Sequence, residues 1–507
     1  MSTLVIRLFN NRSNFKDVVL ALQAKPNTYP RVVYHNEPIA VDEMEEFLNE
    51  AIRVQYDCIS KFSVNAPWKE LFIHIVDSEN LDKFELDTGD VKFVLCTSEL
   101  NLMKDLTELT IIGDGEIFGS VDGLELTKLT KLNLTLYNDS FLTYTLDFIG
   151  KIKDLQELCL SQEVLMSDIE PLKKCKHIKK LTLIGNFYGD AVIFNCMKDL
   201  EYLRLGSWKE WIDFSLLNLR KLKELSLQYI KVIHIEDIAS FTNLTSLELY
   251  GDLHTNVGLH MFSGITELEY LSVMANDTYG TLDSLGKLTK LKKLCISGPK
   301  VFGRLTDISL LGGLEKLNLR STRVRGTLSD LSCFFHLTEL VLYSTMVSGD
   351  LMPFEMSAFM NLEHLDLSKS LVYGDIECFR NLEHLRYLLL SNTGVAGQIE
   401  KLSGLKDLEF CKLNDTYVNG SIEDLTDLPK MKKLYVSNTD ICGQASALND
   451  NIPSLERLDY HHSLIKGSWN KAKVVEVGQE YIDKLKEEYE TKIADLEKQL
   501  KEAKAAQ

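Results

Sequence analysis

One spacing constrains this chain more than anything else in it. The pattern LxxLxL begins at Leu106/Leu109/Ile111 and returns about every 23 residues until Leu455/Leu458/Tyr460. Sixteen units align, among them Leu222/Leu225/Leu227, Leu314/Leu317/Leu319, Leu385/Leu388/Leu390 and Leu408/Cys411/Leu413. Within each unit the xLxLx alternation predicts a short strand with leucines on one side and their neighbours on the other. No single unit of this length buries its own leucines. Stacked units do, if their strands pair in parallel and the leucines form one continuous column. A chain of 507 residues would ordinarily divide into about three domains. The repeat instead predicts one solenoid with a terminal appendage at each end.

A second register runs twelve residues behind the first leucine. Glycine recurs at Gly280, Gly303, Gly326, Gly349, Gly374, Gly397, Gly420, Gly443 and Gly467. It predicts a turn with positive φ or a close approach between coils. An apolar residue follows two positions later, as in Ile376, Ile399 and Ile422, and with the preceding valines it should line the remaining sides of the coil. Before the glycine, threonine recurs at Thr322, Thr345, Thr393, Thr416 and Thr439, where its hydroxyl can satisfy backbone groups in the bend after the strand.

On these residues the chain resembles the leucine-rich-repeat proteins over about residues 106–467. Its later units are similar to the plant-type subclass, whose pattern continues N-x-L-S-G-x-I-P; Gly397-Gln398-Ile399 and Gly420-Ser421-Ile422 fit the G-x-I part. Threonine replaces the asparagine, no proline follows the isoleucine, and the paired-cysteine caps of extracellular members are missing. The resemblance implies an α/β solenoid with a parallel, concave β-sheet, and a protein-interaction scaffold without naming a ligand.

The leucine column needs closing at both ends. Residues 1–100 contain strand-like Thr3–Leu8, Arg31–Tyr34, Leu71–Val76 and Val91–Leu95, with helix-like Asn14–Gln23 and Val41–Phe62. They read as an α/β N-terminal capping region, with an atypical first repeat or two as the alternative. The solenoid occupies 101–468. Residues 469–507 turn rich in Glu, Lys, Ala and Leu, and an apolar stripe at Ile482, Leu485, Tyr489, Ile493, Leu496 and Leu500 predicts an amphipathic helix. It either packs on the last repeat or projects as a solvated tail. The alternative is a coiled coil, with a partner or a homodimer, through 470–507.

Chemistry is hard to find. The chain has no phosphate-binding GxxxxGK[ST], no GxSxG elbow, no HExxH and no EF-hand loop. Gly113-Asp114-Gly115 and Gly119 are one residue too widely spaced for a dinucleotide loop and read as a turn. His461-His462 on adjacent strand positions suit chelation poorly. The reading is therefore no enzyme, no cofactor and no metal site. A net charge of −18 argues against nucleic acid and anionic membrane as partners. The first residues lack an apolar signal core, no stretch approaches 18 apolar residues, and ten cysteines lie scattered without CxxC pairs. That reading places the protein in the cytoplasm.

What remains is the concave face. Tyr343, Tyr387, Phe410 and Tyr435 occupy outward strand positions, as do Tyr202, Tyr250 and Tyr270. Tyr387 and Phe410 fall at the same place in consecutive units, with Tyr435 in the next unit two residues further along. The three should form a slightly stepped cluster of the kind found in binding hot spots, or tyrosine simply tolerates strand geometry. Lys293, Lys316 and Arg320, within a basic stretch from Lys292 to Arg325, should face the same side and either receive an acidic peptide or pair with Glu267, Glu269 and Glu315. Cys159 and Cys295 should present solvent-facing thiols. The function expected is a protein-interaction scaffold binding an unidentified protein through this face and the C-terminal helix. The alternatives are a structural subunit held by its ends and, disfavoured, an extracellular recognition ectodomain.

Overall fold

The computed structural model describes residues 4–7, 71–72, 83–87, 93–95 and 100–469, apart from 102–103, 114–116, 137–140 and 356–358. The helices expected within 1–62 and 470–507, including the stripe Ile482, Leu485, Tyr489, Ile493, Leu496 and Leu500, lie outside the described residues. The chain divides into two compact units, 1–301 and 302–507.

In the first unit, strands Glu108–Gly113, Lys131–Leu136, Glu157–Asp168, Lys180–Tyr188 and Tyr202–Gly206 each pair in parallel with the next. Glu224–Gln228, Ser246–Gly251, Tyr270–Ala275 and Lys293–Ile296 continue the ladder. Register places the middle leucine of each unit in one column, Leu109, Leu132, Leu158, Leu181, Leu203, Leu225, Leu247, Leu271 and Leu294, and every one is buried. Each such leucine contributes about 1.5–3 kcal/mol by leaving water. The ladder also reaches back before the first LxxLxL unit. Lys83–Asp87 pairs in parallel with Glu108–Gly113, setting Phe84 opposite Leu109 and Leu86 opposite Ile111, and Leu4–Arg7 pairs with Lys83–Asp87.

The second unit has the same leucine ladder in shorter strands: Lys316–Asn318, Glu339–Val341, His364–Asp366, Tyr387–Leu389, Phe410–Lys412, Lys433–Tyr435 and Arg457–Asp459. A second parallel ladder accompanies it, made of Arg323–Thr327, Met346–Asp350, Leu371–Asp375, Gly394–Gln398, Tyr417–Ser421, Asp440–Gln444 and Leu464–Lys466. Here Val324, Val347, Val372, Val395, Val418 and Ile441 point inward and are buried, so we call it the valine ladder. Short 3-10 turns such as Leu328–Leu331 and Ile399–Leu402 complete each coil. Among the described residues of this unit, α-helix is confined to Leu448–Asn451.

The two minor registers now acquire physical causes. The threonine hydroxyls donate back three residues to the end of the leucine strand: Thr322 to Leu319 O at 2.7 Å, Thr393 to Leu390 O at 2.6 Å and Thr439 to Val436 O at 2.7 Å. Ser370 does the same to Leu367 O at 2.6 Å. These hydroxyls are buried, so each satisfies a carbonyl that the bend withdraws from the ladder. The glycine ends the valine strand. At Gly397, φ is +110°, and a Cβ there would lie 2.3 Å from Asp375 Oδ1. That carboxylate is occupied capping the next turn, accepting from the Glu377 N–H at 2.8 Å. Only glycine fits both the dihedral and the space.

Candidate protein-interaction face

The leucine ladder of the second unit sends Leu365, Leu388, Cys411 and Leu434 inward, and so sends the residues on either side outward. Parallel pairing then aligns outward residues from successive coils. One row runs His364, Tyr387, Phe410, Lys433, Arg457, and the next runs Asp366, Leu389, Lys412, Tyr435, Asp459. Ring centroids lie 5.4 Å apart for His364–Tyr387, 6.4 Å for Tyr387–Phe410 and 5.4 Å for Phe410–Tyr435. The expected step is present, with Tyr435 opposite Lys412 and diagonal to Phe410. All four rings are half-buried. His364 was not among the expected residues; its place immediately before Leu365, equivalent to Tyr387 before Leu388, is the signal that the sequence carries for it.

Charge surrounds these rings in two states. Arg386 lies 5.6 Å from the Tyr387 centroid and is held from behind by Glu409 at 2.6 Å. Lys432 reaches the same carboxylate at 2.8 Å. Hydrogen bonds from Lys432 and then Arg386 draw the Glu409 carboxyl down to about 2. Arg457 stands 5.4 Å from the Tyr435 ring, a cation–π distance. Lys412 and Lys433, by contrast, have no ion-pair partner among the described residues, and both project from the aromatic rows.

The other predicted residues are placed separately. Tyr343 is flanked by Arg320 at 5.7 Å and Lys369 at 5.4 Å. Lys316 pairs with its register mate Glu339 at 3.2 Å. In the first unit, Lys293 lies 4.2 Å above the Tyr270 ring and donates to its hydroxyl. Its neighbour Lys292 pairs with Glu269 at 2.6 Å.

One expectation needs correction. Cys295 is outward by register yet buried, 4% exposed, and Cys159 is only partly exposed with its sulfur 3.6 Å from Thr135 Oγ1. Parallel strands stand about 4.8 Å apart. Neighbouring strands therefore crowd a short side chain, and an outward direction does not guarantee solvent. Burial pushes the Cys159 thiol up, away from reactivity. His461 and His462 form no ligand set, and no group of three metal-ligating side chains occurs among the described residues.

No protein-family model matches the chain, and no curated protein matches it. Solved structures do match in fold. One is a plant peptide hormone receptor, RGFR1, in complex with RGF2: TM-score 0.55, 18% identity, covering 81% of this chain and 72% of that one. A leucine-rich-repeat protein of Leptospira interrogans gives TM-score 0.55 at 20% identity, over 73% of this chain and 95% of that one. The leucine-rich-repeat ectodomain of the Arabidopsis thaliana receptor kinase GASSHO1/SCHENGEN3, in complex with Casparian strip integrity factor 2, gives 0.54 at 18% identity over 76% of this chain. This chain spans only 52% of that ectodomain. Repeating LxxLxL units, a buried leucine column in parallel register and these likenesses together establish that the chain has the leucine-rich-repeat fold.

Proposed function

We propose that the protein is a non-enzymatic interaction scaffold that binds a protein segment along the leucine ladder of its second unit. The observation that carries this reading is the row His364, Tyr387, Phe410 and Tyr435, with Lys412 and Lys433 lacking carboxylate partners beside it. Half-buried rings on a rigid sheet offer large contact area with little side-chain ordering on binding. The unpaired lysines would select acidic groups on the partner even though the whole chain is acidic. Tyr343, between Arg320 and Lys369, would extend the face toward the start of the unit. Two of the solved structures above are receptors in complex with named ligands, which supports a binding role for a ladder of this kind.

Further parts of the proposal follow. A cytoplasmic location is supported by eight free cysteines among the described residues. Residues 1–100 would cap the leucine column, and 470–507 would supply a helix for a coiled-coil partner. Among the described residues no helix is long and apolar enough to cross a membrane.

The test is partner recovery by the full chain and by the combined variant Tyr387→Ala, Phe410→Ala, Tyr435→Ala. The expected result is loss of the partner with unchanged thermal unfolding. Undiminished recovery would overturn the reading.

A further inference from the structure

The valine ladder of the second unit has an outward face of its own, independent of the proposed binding row. Met346, Leu371, Tyr373, Tyr417 and Leu464 on its strands are five of the sixteen exposed large hydrophobic side chains among the described residues. Leu371 is 62% exposed and Tyr417 67%, whereas the four rings of the proposed binding row are half-buried. Apolar exposure concentrated on one sheet face marks a contact surface.

The chemistry of that face points to its occupant. On either side of each buried valine or isoleucine stands one outward residue. The preceding column reads Arg323, Met346, Leu371, Gly394, Tyr417, Asp440. The following column reads Arg325, Ser348, Tyr373, Ala396, Asn419, Cys442. Hydrogen-bonded register interleaves them without a gap: Arg325 lies opposite Met346, Ser348 opposite Leu371, Tyr373 opposite Gly394, Ala396 opposite Tyr417, and Asn419 opposite Asp440.

Over the first six of the ladder's seven strands each column is complementary to its own reverse about the midpoint between the third and fourth; Leu464 and Lys466 on the seventh strand lie beyond the matched stretch. In the preceding column reversal sets basic Arg323 against acidic Asp440, Met346 against Tyr417, and bulky Leu371 against Gly394. In the following column it sets bulky Tyr373 against Ala396 and Ser348 against Asn419. Arg325 against Cys442 is the one position without an evident match. Neither Arg323 nor Asp440 has an ion-pair partner among the described residues, and both are exposed. A twofold axis lying in the interface, perpendicular to the columns, produces this reversal. Such an axis makes an isologous dimer, in which residue i meets j and j meets i.

We infer that this face pairs with a second copy of the chain, Arg323 of one copy meeting Asp440 of the other and Tyr373 seated over the shallow strip at Gly394 and Ala396. The inference does not rest on the proposed binding row, and alanine at Tyr387, Phe410 and Tyr435 leaves the dimer unchanged.

Sedimentation equilibrium of the full chain over a hundredfold concentration range tests it. The expected wild-type mass at the upper end is twice 57.7 kDa. Arg323→Asp and Asp440→Arg should each weaken association by about tenfold or more, because each places like charges in contact twice per dimer. The combined charge swap should restore it, and Tyr373→Asp should abolish it. Arg323 and Asp440 are exposed, so unchanged unfolding temperatures separate loss of pairing from loss of fold. A monomer throughout would overturn the inference. So would a dimer indifferent to all of these changes, which would put association elsewhere, as at 470–507. Failure of the swap to restore pairing would overturn the reversed alignment. A monomer whose Tyr373→Asp variant loses a different protein would assign the face to that protein instead.

Discussion

The two units use the same leucine column but dress it differently. In the first, the strands run from four to twelve residues, and the outward row after Glu108 carries alternating charge: Lys131, Glu157 and Lys180 bridge at 3.6 and 3.0 Å. In the second, the leucine strands are three residues long, a threonine or serine hydroxyl closes the bend in successive coils, and the outward row carries rings. Among the described residues the hydroxyl register starts only at Thr278, which donates to Ala275 O at 2.7 Å. A regular bend makes equivalent side chains superpose from coil to coil, so a preference for aromatic residues becomes a continuous surface. In the first unit exposed rings meet only locally, as where Tyr229 and Tyr250 make one edge-to-face pair at 5.4 Å. Regularity of the bend, more than composition, separates a surface from a scatter of side chains.

The largest expected effect probes what the units share. Leu388→Ala in the second unit and Leu247→Ala in the first remove fully buried leucines from the leucine column of each unit. Each should cost about 2–5 kcal/mol by denaturant unfolding. A cost near zero in either unit would break the equivalence of the columns.

Next comes the bend. Thr393→Val keeps the shape and removes the buried hydroxyl, leaving Leu390 O without its donor, and should cost about 1–3 kcal/mol. If the bend governs the aromatic row, the loss should also disturb the NMR shifts of Tyr387 and Phe410. Silent rings would detach the bend from the surface.

Acid sensitivity probes the charges beside the aromatic row of the second unit. Glu409 has a folded-state pKa lowered to about 2, so its contribution is present above the ordinary glutamate range and is lost as pH falls toward 2. Glu409→Gln should flatten the decline in unfolding temperature across that window and release Arg386 from the Tyr387 side of the row. An unaltered pH profile would show that Glu409 does not organise the face.

The smallest effect concerns strain. Lys369 adopts φ +56° just before Ser370, and Lys369→Gly should stabilise by no more than about 1 kcal/mol, because relief of left-handed strain is partly offset by glycine's entropy in the unfolded chain. Destabilisation instead would mean that the Lys369 contact with Tyr343 outweighs the strain.

Much of this was legible before any coordinates. Leucine spacing gave the parallel ladder, glycine spacing the positive-φ turn, and the offset of Tyr435 by two residues the step in the aromatic row. Those features are local or repeat with the coil, so they survive in one dimension. Three others were not legible. The strand Lys83–Asp87 was not legible, because it lacks the leucine triplet, and only the alternative of an atypical first repeat within 1–100 reached this part of the chain. Burial of Cys295, at an outward strand position, is set by how the coils pack around it. His364 became part of the row only when its ring was seen 5.4 Å from Tyr387.

The sequence by itself therefore determined the coil: which residues point inward, where the chain bends, and that coils must stack to bury leucine. Only the tertiary structure decided which outward residues meet. Exposure, ion pairing and ring contact depend on side chains 21–26 positions apart, brought together by a ladder whose register varies from coil to coil. It also showed that the valine strands form a second outward face, on which Arg323 and Asp440 stand unpaired on either side of a stretch holding Met346, Leu371, Tyr373 and Tyr417. Backbone hydrogen bonding sets that register, and a leucine count does not contain it.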